Sequence, residues 1–348
     1  MKLSLSSFLV LYSVFLLIST NGYTGTELSP WTTTLSLPTT LDGHAASYSN
    51  GTIYVMGGTT YGYDNLSTVI YSAINPDGSL ANWQNTLSMP TALTYPDVAI
   101  YNNYLYVIGG LAGLFPSTNY QASVYFAQLN NGVENWQSTT PLPQVLTNPA
   151  VVVNNGIIYV LGGFSQTVYY ATINGNGTLG SWQTTTQLPQ RIGREGAVVN
   201  NGYIYVIGGY DDASVTRLNN IYYAQIHGDG TLGTWQDGTP LPEGRENFVT
   251  VSKNGKIYVI GGNTYSTEST VLFTGVNSDG SIGFWQQATS LPSPRDFTAG
   301  VLANDKIYIL GGHYSGTYNS VFYTTILGEG TSVPKEIWDN PLLDISNK

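Results

Sequence analysis

The side chains with the most chemistry in this chain are five arginines and the carboxylates beside them. Arg194-Glu195, Arg245-Glu246 and Arg295-Asp296 recur at nearly constant intervals; Arg191 stands just before the first pair, and Arg217, near Asp211 and Asp212, follows it. A guanidinium holds a carboxylate through two parallel N–H···O bonds and stacks on aromatic faces. Two readings are open. The pairs are structural ion pairs, or they wall a polar pocket for an anionic or hydroxyl-rich ligand. Asn247 follows the second pair, and Asp42, His44, Tyr95, Asp97, Thr147 and Asn148 hold the comparable places nearer the N-terminus.

Other chemistries are missing. The chain has no cysteine, which excludes disulfides, a lipid-modified cysteine and thiol catalysis. No Gly-x-Ser-x-Gly elbow, phosphate loop or zinc motif occurs. His44 and His313 could join Asp42 around a metal, but no short ligand spacing supports it, and neither metal nor cofactor is expected. His227 belongs to a turn. The turns at 75–78, 227–230 and 277–280 faintly resemble calcium loops, yet Thr86 and Ala288 stand where two of them would need glutamate, so all three read as hairpin turns. A net charge of −10 argues against nucleic acid or anionic membrane as a partner.

What positions these residues is a repeat. GTIYVMGG (51–58), NYLYVIGG (103–110), GIIYVLGG (156–163), GYIYVIGG (202–209), GKIYVIGG (255–262) and DKIYILGG (305–312) lie 46 to 53 residues apart. Short β-branched runs ended by two glycines read as buried strands followed by a turn that side chains would obstruct. Each repeat opens with Leu-Pro or Met-Pro and a polar loop. A small apolar strand follows, then the Gly-Gly strand, a variable loop, a third strand such as IYYAQI (221–226), a glycine turn and a strand opening on tryptophan. Trp83, Trp136, Trp182, Trp235 and Trp285 each precede the proline by seven residues. Four antiparallel strands repeated six times predict an all-β, six-bladed β-propeller, a flat solenoid being the rival. In such a meander the loop entering strand one and the loop joining strands two and three share a face. All five arginines fall there, with Phe164, Tyr210, Tyr265, Tyr314, Tyr61, Tyr63 and Phe115. Lys253, Lys256 and Lys306 sit near the opposite turns.

Apolar strand, Gly-Gly, an aromatic on the third strand and a later tryptophan resemble the kelch repeat over residues 31–328. One departure is a gap of 11 or 12 residues from that aromatic to the tryptophan, as from Tyr125 to Trp136 or Tyr71 to Trp83. Kelch propellers include binding modules, galactose-oxidase-like enzymes and sialic acid mutarotases. The resemblance therefore implies a fold more than a function. The Tyr-Cys copper cofactor of galactose oxidases cannot form here.

Residues 1–22 read as a secretory signal peptide: Lys2, an apolar core at 8–18, then Ser19, Thr20 and Gly22. An uncleaved anchor is the alternative. Residues 23–30 read as a linker and 329–348 as a tail or extra outer strand. Asn50, Asn65 and Asn176 head three glycosylation sequons. The leading expectation is a secreted or cell-surface binding module for a glycan or cell-surface protein, monomeric or in a surface assembly. The alternatives are a sugar-processing enzyme similar to the mutarotases and a structural or adhesive surface protein. So few charges suit a hot or acidic exterior. Both termini carry a tryptophan strand, at Trp31 and Trp338; the Trp31-to-Pro38 spacing predicts that residues 31–37 close the ring against 321–326.

Overall fold

The computed structural model describes residues 27–60, 64–113 and 119–328. The signal-peptide reading of 1–22, the first part of the linker, Tyr61, Tyr63, Phe115 and the tail with Trp338 lie outside the described residues. Six four-stranded antiparallel sheets form a propeller, and no helix occurs among the described residues. Blade 1 comprises Asp42–Ser49, Thr52–Thr59, Val69–Ala73 and Gln84–Asn85. The first strands of blades 2 to 6 are Asp97–Tyr101, Pro149–Asn154, Gly196–Asn200, Val249–Lys253 and Ala299–Ala303. These six line the central channel.

The repeat signature explains how the blades adhere. In every blade the tyrosine of the Gly-Gly strand pairs across the sheet with an aromatic of strand three, ring centroids 5.5 to 6.2 Å apart. Four of these tyrosines then donate a hydrogen bond to a turn carbonyl of the next blade, as Tyr159 does to Gly230 at 2.9 Å. Both glycines of all six Gly-Gly pairs have positive φ, which explains why no side chain is found there. There is no single core. Six apolar clusters each fill the seam between two neighbouring blades. Each fully buried aliphatic side chain in them stabilises by about 1.5–3 kcal/mol.

The ring closes as the tryptophan spacing predicts. Thr32–Thr34 forms the outer strand of blade 6, pairing Thr32 with Tyr323, Thr33 with Phe322 and Thr34 with Val321. Trp136, Trp182, Trp235 and Trp285 each donate an indole N–H to a backbone carbonyl of the preceding blade, and Trp31 does the same to Thr289 at 2.9 Å. The described end of the linker is part of this closure. Leu28 is fully buried between blades 5 and 6 and bridges Ile326. Glu27 accepts from Lys256 Nζ at 2.8 Å and from the Tyr258 hydroxyl, standing where four other seams present a turn carbonyl.

Removing residues 27–37 is therefore expected to abolish the cooperative thermal transition. Glu27→Ala, which deprives the buried Tyr258 hydroxyl of its acceptor, should cost about 2 kcal/mol in denaturant unfolding. A chain ending at residue 328 should keep the wild-type midpoint by calorimetry.

Candidate functional site

The polypeptide enters each inner strand through one residue in the left-handed region. Gly43, Tyr95, Asn148, Arg194, Asn247 and Phe297, one per blade, have φ between 49° and 60°. Each stands five residues after the opening proline of its repeat. Their backbones form a collar around the channel mouth, the N–H of one residue donating to the carbonyl of its counterpart in the preceding blade. Five links are Tyr95 to Gly43 (2.7 Å), Gly43 to Phe297 (3.0 Å), Phe297 to Asn247 (3.2 Å), Asn247 to Arg194 (3.2 Å) and Arg194 to Asn148 (3.4 Å). The conformation costs about 1–2 kcal/mol for a residue with a Cβ. Asparagine tolerates it, while Tyr95, Arg194 and Phe297 are held there by the ring of bonds.

The collar is chemically divided. Gly43 has no side chain, and a Cβ there would lie 2.5 Å from Tyr95 Cε1, so Tyr95 reaches across it to Phe297, ring centroids 5.4 Å apart. The other half presents Asn148, Arg194 and Asn247. Beneath lies a cavity of about 300 Å³ reaching all six inner strands.

Two carboxyls belong to this channel and behave differently. Asp97 lines it at a level otherwise occupied by Ala45, Ala150, Gly196, Val249 and Ala299. It accepts from the backbone N–H groups of Val98 (2.7 Å) and Val151 (2.6 Å), yet desolvation pushes its pKa up to about 7. Glu195 turns away into the seam with blade 3, its carboxyl filling the space of an absent Gly162 side chain. Neither Glu195 oxygen has a well-formed hydrogen bond, and desolvation, with a smaller contribution from Asp97, raises its pKa to about 8. His44, at the matching place in blade 1, is likewise buried against Gly311 rather than facing the mouth. Desolvation lowers its pKa to about 4.

The five arginines do not form one cluster. Arg245 and Arg295 are buried, where the other blades carry Leu41, Leu93, Leu146 and Ile192. Each donates from Nη1 to the first glycine carbonyl of its own Gly-Gly pair at 2.9 Å, and Arg295 stacks on Phe322 and Tyr318. They are seam-filling residues, not part of the mouth. Arg194 and Arg217 converge on buried Glu246, at 2.8 and 3.0 Å. Arg194 also lies over the Phe164 and Tyr210 rings, and Arg217 over Tyr265. Arg191 forms an exposed pair with Asp212 at 2.9 Å.

On the opposite side Asp42 accepts from Thr317 at 3.2 Å and Asp296 from Asn263 at 3.1 Å, with His313 Nδ1 3.8 Å from Asp296. Burial raises both carboxyl pKa values. Among the described residues no group of three or more histidines, aspartates or glutamates is placed to hold a metal ion. Asp77, Asp229 and Asp279 each accept from the backbone and hydroxyl two residues on, which closes their hairpin turns. Of the sequon asparagines, Asn65 donates both to Leu111 O (2.9 Å) and to Gly113 O (3.0 Å). Asn50 donates to Asn103, whereas exposed Asn176 uses its Oδ1 to accept from Thr178 and leaves its amide nitrogen toward solvent.

The carboxyl shifts fix the sign of a pH dependence. Asp97 and Glu195 hold their protons more tightly folded than unfolded. Their contribution is complete below about pH 4 and is lost as pH rises through about 7 and 8. His44 has the opposite sense: its contribution is complete above 6.5 and lost as pH falls through about 4. The thermal midpoint is expected to fall as pH is raised from 6.5 to 8.5. Glu195→Gln should flatten that slope in melts followed by circular dichroism.

No family model matches the chain. It is 28% identical over 128 residues to beta-scruin of Limulus polyphemus, covering 35% of this chain and 13% of the relative. It is 32% identical over 114 residues to the kelch domain-containing protein SSO1033 of Saccharolobus solfataricus, covering 32% of this chain and 14% of that one. The kelch-like protein terF of Aspergillus terreus is 28% identical over 128 residues, 36% of this chain and 27% of its own length. These matches thus span about a quarter or less of each relative. The solved structure of YjhT superposes with a TM-score of 0.67 at 14% identity, covering 83% of this chain and 96% of that one. With six blades of four antiparallel strands, the recurring Gly-Gly and the seam tryptophans already in place, the chain is a kelch-type six-bladed β-propeller.

Proposed function

We propose that this protein is an exported binding module that takes a glycan, or another hydroxyl-rich ligand, on the channel collar. The observation that supports this best is the collar itself. Three bulky residues, Tyr95, Arg194 and Phe297, are kept in left-handed backbone where glycine would be unstrained and asparagine tolerated. Strain retained at an open mouth is more economically explained by ligand contact than by packing. Tyr95 and Phe297 offer ring faces for the apolar side of a sugar, and the Asn148 and Asn247 amides offer donors and acceptors for hydroxyls. Arg194 offers a guanidinium for an acidic substituent. Export rests on residues 1–22 of the sequence.

A second reading, a sugar-processing enzyme, is favoured by Asp97. Burial poises this channel carboxyl near neutrality, the range in which a general acid or base works at physiological pH. Glu195 and Glu246, which would otherwise serve, are respectively turned into a seam and paired with two arginines. NMR exchange between sugar anomers, compared with Asp97→Asn, tests this reading, and a rate no higher than buffer removes it.

For the binding module, a glycan array on purified protein is expected to return ligands whose affinity drops about tenfold (about 1.4 kcal/mol) in Arg194→Ala and in Asn247→Ala. Arg295→Ala should behave differently, lowering stability by roughly 2–4 kcal/mol through a seam cavity and a lost backbone acceptor contact, with affinity retained. Unchanged binding in both collar variants would exclude the collar.

A further inference from the structure

A second concavity of about 420 Å³ lies outside the channel, on the same face, between the loops of blades 3 and 4. Gln144, Phe164, Ser165, Gln166, Gln187 and Arg191 supply most of its wall. Its composition is amide, hydroxyl and guanidinium around one aromatic ring, with exposed Val145 and buried Leu146 as the aliphatic part of the lining.

Phe164 is built into place. It has φ of 63°, a backbone conformation that a bulky residue adopts only when its surroundings impose it. Its N–H donates to Ile192 O at 2.8 Å, and its ring lies against Gly193, where a Cβ would stand 2.5 Å from Phe164 Cε1. The other five blades carry Asp42, Thr94, Thr147, Glu246 and Asp296 at the position of Gly193. Only blade 4 clears the space for a ring to lie flat. Phe164 is also the wall shared with the mouth, because the Arg194 guanidinium sits 5.7 Å from its ring centre while Arg194 lines the channel cavity. Gln187 is exposed at the rim. The Gln144 amide nitrogen reaches Ser165 Oγ at 3.1 Å, and Arg191 is half-exposed beside Asp212.

We infer that this groove is a second saccharide subsite continuous with the collar, so that the ligand is an oligosaccharide engaging both. The inference rests on the collar reading. A ring face flanked by carboxamides suits successive sugar units: the exposed Gln187 amide can donate and accept toward hydroxyls, and the ring covers a C–H face. Gln144 and Gln166 keep their amide oxygens to accept, their nitrogens being bonded to Ser165 Oγ and to the Leu188 and Pro189 carbonyls. A volume of 420 Å³ is in the range of small-ligand sites. A peptide of matching length would seek several apolar side-chain pockets, whereas this groove is walled mainly by polar groups.

The test is calorimetry with free oligosaccharides of increasing length drawn from the best array hit, from its terminal monosaccharide to its tetrasaccharide. Wild-type protein is expected to bind the tetrasaccharide about tenfold more tightly than the monosaccharide. Gln144→Ala/Gln187→Ala should bring the tetrasaccharide down to the monosaccharide level, leave monosaccharide affinity unchanged and keep the wild-type melting midpoint. Arg194→Ala should weaken both. Affinity independent of length, or a tetrasaccharide unaffected by the double substitution, overturns the groove while leaving the collar standing. Capture of peptides but of no saccharide overturns both. If the double substitution lowers the melting midpoint, the single variant Gln187→Ala, at the exposed rim, decides the question by the same comparison.

Discussion

The structure depends on contacts between blades rather than within them. A four-stranded sheet has two faces to bury and no core of its own, so each blade is stable only while its neighbours cover it. Six seam clusters provide that cover, and polar bonds recur with the repeat: an indole N–H reaches the preceding blade at five seams, and a tyrosine hydroxyl reaches the following turn at four. Two distant parts of the chain meet at the seam of blades 5 and 6, and Glu27, Leu28 and Trp31 reproduce in it the contacts that ordinary hairpins make elsewhere.

The same constraint shapes the mouth. Because every inner strand must begin beside its neighbour's beginning, the six entry residues are forced into one ring, and their N–H and carbonyl groups satisfy one another. That arrangement fixes the backbone and leaves the side chains free to differ, which is where a repeat protein can vary its chemistry without disturbing its fold. The outcome is an asymmetric opening, aromatic over blades 6 to 2 and polar over blades 3 to 5.

Charge is treated differently at each depth. At the surface Arg191 pairs with Asp212; one layer down, Glu246 balances Arg194 and Arg217; within the seams Arg245 and Arg295 bond backbone carbonyls and stack on rings where that is possible. Glu195 has none of these compensations. Burial without a counter-charge makes it retain a proton. A chain with 9% charged residues that places several of them in low-dielectric seams ties its stability to pH.

The repeat, the number of blades, the strand order and the strand that closes the ring are all legible in the amino-acid order. Each of these is a matter of periodicity and spacing: Gly-Gly marks obligatory positive φ, and Trp31 precedes its proline by the same seven residues as the internal tryptophans. That order also placed the arginine-bearing loops on one face, since meander topology leaves no alternative. What it did not resolve was depth. Arg194-Glu195 looks like Arg245-Glu246 and Arg295-Asp296 as dipeptides, yet counting from the proline sets it two places later, which turns Arg194 to the mouth and Arg245 and Arg295 into the seams. The offset is visible in the amino-acid order, but its meaning is not. Two residues along a chain entering a strand separate solvent from interior only because a neighbouring blade is packed there. For the same reason His44 and the carboxyl oxygens of Glu195 are buried, and the collar and the groove beside Phe164 exist only in the assembled ring. Side-chain environment in a propeller is set by residues some fifty positions away, and tertiary packing alone brings them together.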